Sequence, residues 1–360
     1  MKERIAVKIG SNVLTRKDGM LDVTQMSALV DQIAELHKNG YEIIVISSGA
    51  VAAGKTELKI KEGKLDRISS RQLYATIGQA KLINRYYDLF HQHKIVCGQV
   101  LATKEDFSTR RHYLNQRNCM EIMIDNMVIP IVNENDAVSI NELMFTDNDE
   151  LSGLVAAMMD CTKLIILSNI NGLYNGDPSD SVSTVIREIH PDDKPITNII
   201  QKKKSSAGRG GMQTKYNIAR KVSEEGIEVI IANGRTPGML LSLATDEDVV
   251  CTRFLAAQRE ISSIKKWIAH SDGYAKGEIY INAGAKEVLL SNNATSLLPV
   301  GVVSVKGDFE ADDIVKIIDD ETGLQIAIGK TAYSSKQAAD AIGKNNKKPI
   351  IHCDYLYIEK

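Results

Sequence analysis

Polar residues and glycines follow four apolar segments of the chain, at the positions where strands would end. The groups are 10–12 (Gly-Ser-Asn), 47–50 (Ser-Ser-Gly-Ala), 133–136 (Asn-Glu-Asn-Asp) and 168–172 (Ser-Asn-Ile-Asn-Gly). Ligands of open parallel sheets bind outside the carboxyl ends of the strands, so we expect these groups to lie close together. Glycine lets backbone N–H groups approach phosphate oxygens, and a helix that begins there favours an anion. One such turn is better explained by a tight strand-to-helix connection, but the convergence of several favours a phosphate-binding site.

Two basic features add to this prediction. Lys8 lies inside the apolar segment Ile5 to Ile9, where a charged side chain is rarely found without a partner. An edge strand would explain it, but the turn that follows favours contact with a phosphate. The segment Lys202 to Gly211 is basic and rich in glycine, and Lys215 follows it in a predicted helix. It could surround a triphosphate with backbone N–H groups, or be a solvated loop or a small RNA-binding patch.

The acidic segment Thr146 to Glu150 precedes an apolar helical segment. Thr146 and Asp149 match a capping box, and acidic residues suit the start of a helix. The same acids could instead orient lysines or hold a magnesium nucleotide. The spacing alone leaves these alternatives open.

One motif indicates a different nucleotide site. Gly49 to Thr56 matches G-x-x-x-x-G-K-[ST] and follows a predicted strand. A P-loop opens a helix after its lysine, whereas Leu58 to Lys61 alternates with period two and Gly63 follows soon after. We therefore predict that the helix already begins at Ser48-Gly49 and that the match is not a P-loop.

Composition narrows the class of protein. The chain has 360 residues, 43% hydrophobic and 25% charged, which predicts an ordinary globular protein of two domains. Lys8 interrupts the N-terminal apolar run, and no apolar stretch approaches the ~20 residues that span a bilayer. Five cysteines without a C-x-x-C pair favour a reducing cytoplasm. The net charge of −2 gives no general attraction to nucleic acid. The seven histidines show no metal-ligand spacing, and no G-x-S-x-G marks a serine nucleophile.

Elements of strand length alternate with amphipathic helical segments over the first ~250 residues, which is typical of a parallel sheet covered by helices. A helix capped by Asp22 with Gln25 precedes Gly40. The predicted strands are 5–9, 41–47, 95–101, 128–132, 163–168 and 227–232. The other predicted helices are 69–91, 112–125, 150–159 and 214–225. The pattern predicts a three-layer α/β domain.

The sequence pattern changes after about residue 260, where Gly and Asn turns separate short β-type segments. These segments are 278–282, 301–306 and 314–318. They predict a small, mostly β domain, with the boundary between Arg253 and Ser271. We accordingly expect domains at 1–255 and 270–360.

Taken together, the motifs resemble the amino acid kinase family, and within it the members that phosphorylate glutamate and carry a C-terminal PUA domain. The resemblance covers nearly the whole chain. It is carried by VKIGSNVLT (7–15), SSGAVAAG (47–54), YLNQRN (113–118), IPIVNENDAVS (129–139), FTDNDELS (145–152), NGLY (171–174), GRGGMQTK (208–215) and SLLPVGV (296–302). It implies a three-layer amino acid kinase fold with a mainly parallel central sheet and a small PUA-like domain.

The resemblance also implies roles for individual residues. Lys8 and Lys215 are expected to neutralise charge on the transferred phosphoryl group, with Asp149 as their organiser. Ser48, Asp136 and Asn148 are the expected glutamate contacts. The expected ATP contacts are Lys8, Ser168, Asn169, Arg209, Gly210, Gly211, Met212, Gln213, Thr214 and Lys215.

By the same resemblance, the activity is ATP-dependent phosphorylation of the L-glutamate side-chain carboxylate, the first step of proline synthesis. It implies Mg²⁺ with ATP, a homo-oligomer (dimer or tetramer) and feedback inhibition by proline near the glutamate site. A carboxylate is already an ionised nucleophile, so the reaction needs positioning and charge neutralisation rather than a strong base.

The chain departs from the family pattern at three places. Ser168-Asn169 stands where Thr-Asp is usual, and Arg209 stands where Thr is usual. The segments 309–313 and 328–329 lack the arginines that are common in PUA domains, so RNA binding is not expected. The residues alone leave open another acceptor, namely aspartate, carbamate or a nucleoside monophosphate. A non-catalytic RNA-binding regulator built on the β-rich tail is the alternative from another class.

Overall fold

The computed structural model divides the chain into two compact units, Met1–Glu260 (unit 1) and Ile261–Lys360 (unit 2). It describes residues 3–58, 65–139, 145, 148–178, 180, 182–194, 196, 211–258, 262–291, 295–344 and 348–358. Along these residues no helix combines the length and the apolar composition that crossing a membrane requires.

Unit 1 is a large sheet with helices packed on it. Its strands are β1 (Arg4–Ile9), β2 (Glu42–Ser47), β3 (Val96–Ala102), β4 (Val128–Glu134), β5 (Lys163–Ser168), β6 (Glu188–Ile189), β7 (Glu228–Asn233) and β8 (Thr252–Phe254). Its helices are α1 (Ser11–Leu14), α2 (Val23–Lys38), α3 (Ala50–Glu57), α4 (Arg67–Gln92), α5 (Arg110–Asp125), α6 (Asn148–Met158), α7 (Met212–Glu224) and α8 (Met239–Ala244).

The large sheet has the order β3-β4-β2-β1-β5-β7-β8-β6. The first six strands are parallel neighbours, β8 runs antiparallel to β7, and β6 runs parallel to β8. The register aligns Ile9 with both Ser47 and Leu167, and aligns Ser168 with Asn233. The strand ends that carry the polar groups therefore meet at one edge of the sheet. The predicted mainly parallel α/β fold is confirmed.

The predicted strands and helices of unit 1 match observed elements to within a few residues. Asp22 accepts the predicted capping hydrogen bond from the backbone N–H of Gln25, at 3.2 Å. Two strands, β6 and β8, were not predicted. They have only two and three residues, so they carry no alternating pattern that a sequence could show.

Helices α3 and α4 approach each other unusually closely at two glycines. A Cβ atom at Gly54 would lie 1.9 Å from the carbonyl oxygen of Tyr74, and one at Gly78 would lie 1.7 Å from that of Ala50. Gly54 is thus a packing residue inside a helix that has already begun at Ala50. In a P-loop this glycine belongs to the phosphate-binding loop, so the fold agrees with our prediction that the motif is not one.

Unit 2 is a five-stranded sheet with short helices. Its strands are β9 (Gly277–Ile281), β10 (Val302–Gly307), β11 (Ile314–Asp319), β12 (Gln325–Lys330) and β13 (Leu356–Ile358), in the order β10-β9-β11-β12-β13. Its helices are α9 (Ser263–Ala269), α10 (Ala283–Leu290) and α11 (Ser335–Ala341). Its core is built from buried apolar side chains of the strands, such as Ile279, Ile317 and Ala327. The predicted small, mostly β domain is confirmed.

Candidate active site

Three charged side chains meet at the edge of the large sheet where its parallel strands end. The ammonium group of Lys8 contacts Oδ1 of Asp149, and the Nζ atom of Lys215 lies 2.8 Å from Oδ2 of the same carboxylate. Their side chains are 6%, 1% and 12% exposed for Lys8, Asp149 and Lys215. We call these three residues the lysine–aspartate centre. The structure thus brings together residues that are 141 and 66 positions apart in the chain.

Each member of the centre stands on a rigid element. Lys8 belongs to β1, whereas Asp149 and Lys215 lie in the first turns of α6 and α7. A Cβ atom at Gly153 would come within 2.8 Å of Ile218 on α7. The absence of a side chain at this position therefore lets α7 approach α6 and brings Lys215 to Asp149.

The electrostatics of the centre keep it charged. Burial acts to raise the pKa of Asp149, but the ammonium groups of Lys8 and Lys215 outweigh burial and hold the pKa below its usual range. The site therefore contains two cations and one anion at neutral pH. The surplus positive charge suits a phosphate group, whose negative charge it would neutralise.

Two backbone features lie beside the centre. A Cβ atom at Gly10 would lie 3.7 Å from Nζ of Lys8, so the backbone of the β1 turn is next to this cation. Helix α7 begins after Gly211, which makes no side-chain capping hydrogen bond within the described residues. Its first N–H groups are then available for phosphate oxygens, as helix N-termini commonly are. Arg209 and Gly210 lie outside the described residues.

The remaining residues expected to contact ATP are in different surroundings. Ser168 is buried at the end of β5, and its carbonyl oxygen accepts a hydrogen bond of 2.9 Å from Gly234. Asn169 is exposed immediately after that strand. On α7, Met212 and Thr214 are half-buried, and the exposed Gln213 donates to Asn217 on its own helix, at 2.9 Å. The role of these residues stays a prediction.

A second cluster, of amide and hydroxyl groups, lies at the ends of β2 and β4. The Nδ2 atom of Asn148 donates to Oγ of Ser48 at 2.9 Å and to Oδ1 of Asn133 at 3.1 Å. It also lies 3.3 Å from the carbonyl oxygen of Ser47. We call Ser48, Asn133 and Asn148 the amide cluster. Because Asn148 directly precedes Asp149, the amide cluster and the lysine–aspartate centre share the start of α6.

A third group follows β4. The Nη2 atom of Arg71, on α4, contacts Asp136 and lies 3.2 Å from Oε2 of Glu134. Oε1 of Glu134 accepts a hydrogen bond from the backbone N–H of Phe145, at 3.0 Å. We call Glu134 and Asp136 the acidic pair. Asp136 was a predicted site residue, whereas sequence analysis missed Arg71 and Glu134.

The acidic pair is electrostatically unlike the centre. Burial, followed by the charge of Asp136, raises the pKa of Glu134 to about 8, although Arg71 acts in the opposite direction. Near neutral pH the Glu134 carboxyl group is therefore mostly protonated. The two buried carboxyl groups of the site, at positions 134 and 149, differ in charge.

Lys55, the lysine of the P-loop match, is outside this arrangement. Its side chain is exposed, and its Nζ atom lies 5.9 Å from the centroid of the Tyr74 ring. Thr56 donates its hydroxyl hydrogen to the carbonyl oxygen of Ala53 within α3, at 2.6 Å. Neither residue contacts the lysine–aspartate centre in any recorded interaction of the described residues.

Comparison with known proteins gives two domain matches. Residues 3–233 match the amino acid kinase family, and residues 277–352 match the PUA domain. The chain is 62% identical to "Glutamate 5-kinase" of Bacteroides thetaiotaomicron, over 99% of this chain and 98% of that protein. It is 46% identical to "Glutamate 5-kinase" of Chlorobaculum tepidum, over 99% of this chain and 97% of that protein.

Solved structures agree in fold at low sequence identity. Carbamate kinase from Giardia lamblia bound to AMP-PNP matches with a TM-score of 0.52 and 15% identity, covering 71% of this chain and 99% of that one. UMP kinase from Bacillus anthracis matches with a TM-score of 0.50 and 14% identity, covering 70% and 96%. These likenesses support the fold of unit 1.

Proposed function

The chain belongs to the amino acid kinase family, and on that premise we propose that it transfers the γ-phosphoryl group of ATP to the side-chain carboxylate of L-glutamate. The products are ADP and L-glutamyl 5-phosphate, and the reaction is the first step of proline synthesis. The observation that carries the proposal is the lysine–aspartate centre, next to the amide cluster at the strand ends. The names of the relatives support glutamate as the acceptor.

The chemistry fits the side chains present. A carboxylate oxygen of glutamate attacks the γ-phosphorus, and the bond from this phosphorus to the oxygen that bridges to the β-phosphate breaks. Glutamate is ionised at neutral pH, so no base is needed. Lys8 and Lys215 place positive charge where negative charge develops on the transferred group, and Asp149 keeps both ammonium groups in position.

We place the triphosphate at the start of α7 and the turn after β1. The first turn of α7 supplies N–H groups, the turn at Gly10 brings the backbone close to Lys8, and the two lysines supply charge. Ser168, Asn169 and the segment from Arg209 to Lys215 are the proposed nucleotide contacts. Ser48, Asn148 and Asp136 are the proposed glutamate contacts, because they flank the centre at the ends of β2 and β4.

Mg²⁺ is the proposed companion of ATP. Both carboxylate oxygens of Asp149 already accept hydrogen bonds from lysines, so this residue is poorly suited as a direct metal ligand. The donor set fits an ion held mainly by phosphate oxygens and water, as Mg²⁺ commonly is. When bound, Mg²⁺ would neutralise part of the phosphate charge.

Two further properties belong to this proposal. Proline is a proposed inhibitor at or near the acceptor site, because it carries the same α-carboxylate and α-amino groups as glutamate. A homo-oligomer formed through unit 1 is the proposed assembly. Large apolar side chains that unit 1 exposes, including Val96, Leu114 and Ile122, support such contacts.

An assay across acceptors tests the function. ADP release is measured with L-glutamate, L-aspartate, carbamate or UMP, and hydroxylamine traps any acyl phosphate as the hydroxamate. We expect ADP release and hydroxamate with L-glutamate above all. A faster reaction with another acceptor would retain a kinase but refute glutamate as its substrate.

The same assay separates the kinase from an RNA-binding regulator. Three lysines of unit 2 are paired with acids, which reduces the positive charge that they offer to a phosphate backbone. The pairs are Lys276 with Asp313, Lys286 with Asp319 and Lys330 with Asp312. Protein that releases no ADP with L-glutamate and Mg²⁺, yet binds tRNA tightly at physiological salt, would establish the regulator instead.

A further inference from the structure

Side chains of helix α4 contact the end of β4 and the segment that follows it. The Oε1 atom of Gln79 accepts a hydrogen bond of 2.8 Å from Asn133 of the amide cluster. Gln72 donates to the carbonyl oxygen of Ala137, at 2.8 Å. Arg71, on the same helix, contacts the acidic pair. Side chains of α4 therefore contact Asn133, the acidic pair and Ala137, which lie at the end of β4 or just after it.

Arg71 retains donors for a further ligand. Its Nη2 atom makes both contacts with the acidic pair, and within the described residues Nε and Nη1 have no recorded hydrogen-bond acceptor. The side chain is 23% exposed, so a small molecule can reach it. A guanidinium group whose Nε and Nη1 still carry N–H donors can give a carboxylate a charge-assisted hydrogen bond from either nitrogen.

The guanidinium group is also held in a fixed position. The side chain of Glu134 is 1% exposed, and its other oxygen accepts from the backbone N–H of Phe145. Glu134 therefore anchors Arg71 from a buried and fixed position. Asp136 contacts the same Nη2 atom and, with a side chain 10% exposed, is nearer to solvent. A preorganised donor loses little conformational entropy when a ligand binds.

The charges of this group match those of a free amino acid. Around its α-carbon, an amino acid carries one ammonium group and one carboxylate. Asp136 offers an oxygen acceptor for an ammonium group, and Arg71 offers donors for a carboxylate directly beside it. The two protein side chains are already in contact, so their complementary ligand groups would also be adjacent.

We propose that Arg71 binds the α-carboxylate of the acceptor amino acid while Asp136 binds its α-ammonium group, so that the pair selects an amino acid over other carboxylates. This inference rests on the proposed function and adds a specificity-determining residue to it. The side-chain carboxylate of the bound amino acid then extends from the pair toward the lysine–aspartate centre.

Acceptors that lack one group test this assignment. 4-Aminobutanoate lacks the α-carboxylate of glutamate, and glutarate lacks the α-amino group. The value of kcat/KM is measured for L-glutamate, 4-aminobutanoate and glutarate with wild type, Arg71→Gln, Arg71→Lys and Asp136→Asn. Lys81→Gln is the matched control, because Lys81 is a cation of α4 that pairs with Glu57 outside the site.

We expect Arg71→Gln to reduce the preference for L-glutamate over 4-aminobutanoate by about 10²-fold, as for the loss of a charge-assisted hydrogen bond to a carboxylate. The KM for ATP should stay unchanged, Arg71→Lys should restore part of the preference, and Lys81→Gln should behave as wild type. Asp136→Asn should instead reduce the preference over glutarate.

Two different results would overturn the assignment of Arg71 to the α-carboxylate, and the assay distinguishes them. If Arg71→Gln leaves the preference over 4-aminobutanoate intact and reduces only the preference over glutarate, then Arg71 merely positions Asp136. If wild type forms no hydroxamate with L-glutamate, the proposed function itself fails, and the assignment fails with it. Circular dichroism of each variant shows that the comparison is made between folded proteins.

Discussion

The active-site region contains two buried carboxyl groups, Asp149 and Glu134, whose surroundings set opposite charges. Asp149 lies between two ammonium groups, which lower its pKa despite burial. Glu134 shares one guanidinium group with a second acid, and burial raises its pKa. Depth of burial is therefore a poor guide to charge, since the number and sign of the neighbours decide it. The comparison assigns a charge to Asp149, at the proposed phosphoryl end of the site, and a proton to Glu134, at the proposed acceptor end.

The largest expected difference between the two positions is in stability. Asp149→Asn leaves two lysines close together in a buried place without their anion, and should reduce the free energy of unfolding of unit 1 by about 3 kcal/mol. Glu134→Gln replaces a carboxyl group that is already mostly neutral, and should cost about 1 kcal/mol or less at pH 7. Both changes are measured by urea unfolding that is monitored through amide hydrogen exchange in β1 and α6. Tryptophan fluorescence would report on unit 2 instead, because the single tryptophan, Trp267, belongs to that unit.

If Asp149→Asn and Glu134→Gln lose equal free energy of unfolding, or if Glu134→Gln loses more, the charge states of the two carboxyl groups do not differ as described. The double variant serves as the control for additivity, because the two carboxyl groups have separate partners.

A smaller effect should appear in the pH dependence of stability. Glu134 has a higher pKa in the folded protein than the 4.5 of a free side chain, so its contribution is complete below that value and is lost as pH rises through about 8. Wild type should accordingly lose about 2 to 3 kcal/mol relative to Glu134→Gln between about pH 6 and pH 8. For Asp149 the sign is opposite, and its contribution is lost as the pH falls below about 4.

The measurement is the free energy of unfolding of wild type and both variants over this range of pH. Parallel curves for wild type and Glu134→Gln would contradict the raised pKa of Glu134. A wild-type advantage over Asp149→Asn that persisted unchanged into strong acid would contradict the lowered pKa of Asp149.

The same two regions show what the sequence could predict. Lys8 was recognisable because a lysine within an apolar strand needs a partner, and that partner proved to be a buried aspartate. The parallel strands were recognisable because they are short, mainly apolar segments that alternate with helical ones. The rule that ligands bind at the carboxyl ends of such strands then predicted that the polar groups lie close together. The proposed phosphoryl end of the site could therefore be predicted from the sequence.

The proposed acceptor end of the site could not be predicted from the sequence in the same way. Arg71 is 63 and 65 positions from the two members of the acidic pair. It lies on an amphipathic helix that carries other cations, such as Lys81 and Arg85, so its residue type alone gives no signal. Glu134 looked like one more polar residue after a strand. Its raised pKa depends on burial and on the position of Asp136, which only the folded chain defines.

The most direct test of the lysine–aspartate centre compares three lysines at saturating ATP and L-glutamate. We predict that Lys8→Ala and Lys215→Ala each lower kcat by about 10²-fold or more, as when a contact to transition-state charge is removed. Lys55→Ala, which removes an exposed lysine of α3, should leave kcat close to that of wild type. Circular dichroism confirms folding. A larger loss of kcat at Lys55 than at Lys215, or changes only in the KM for ATP at Lys8 and Lys215, would contradict the account.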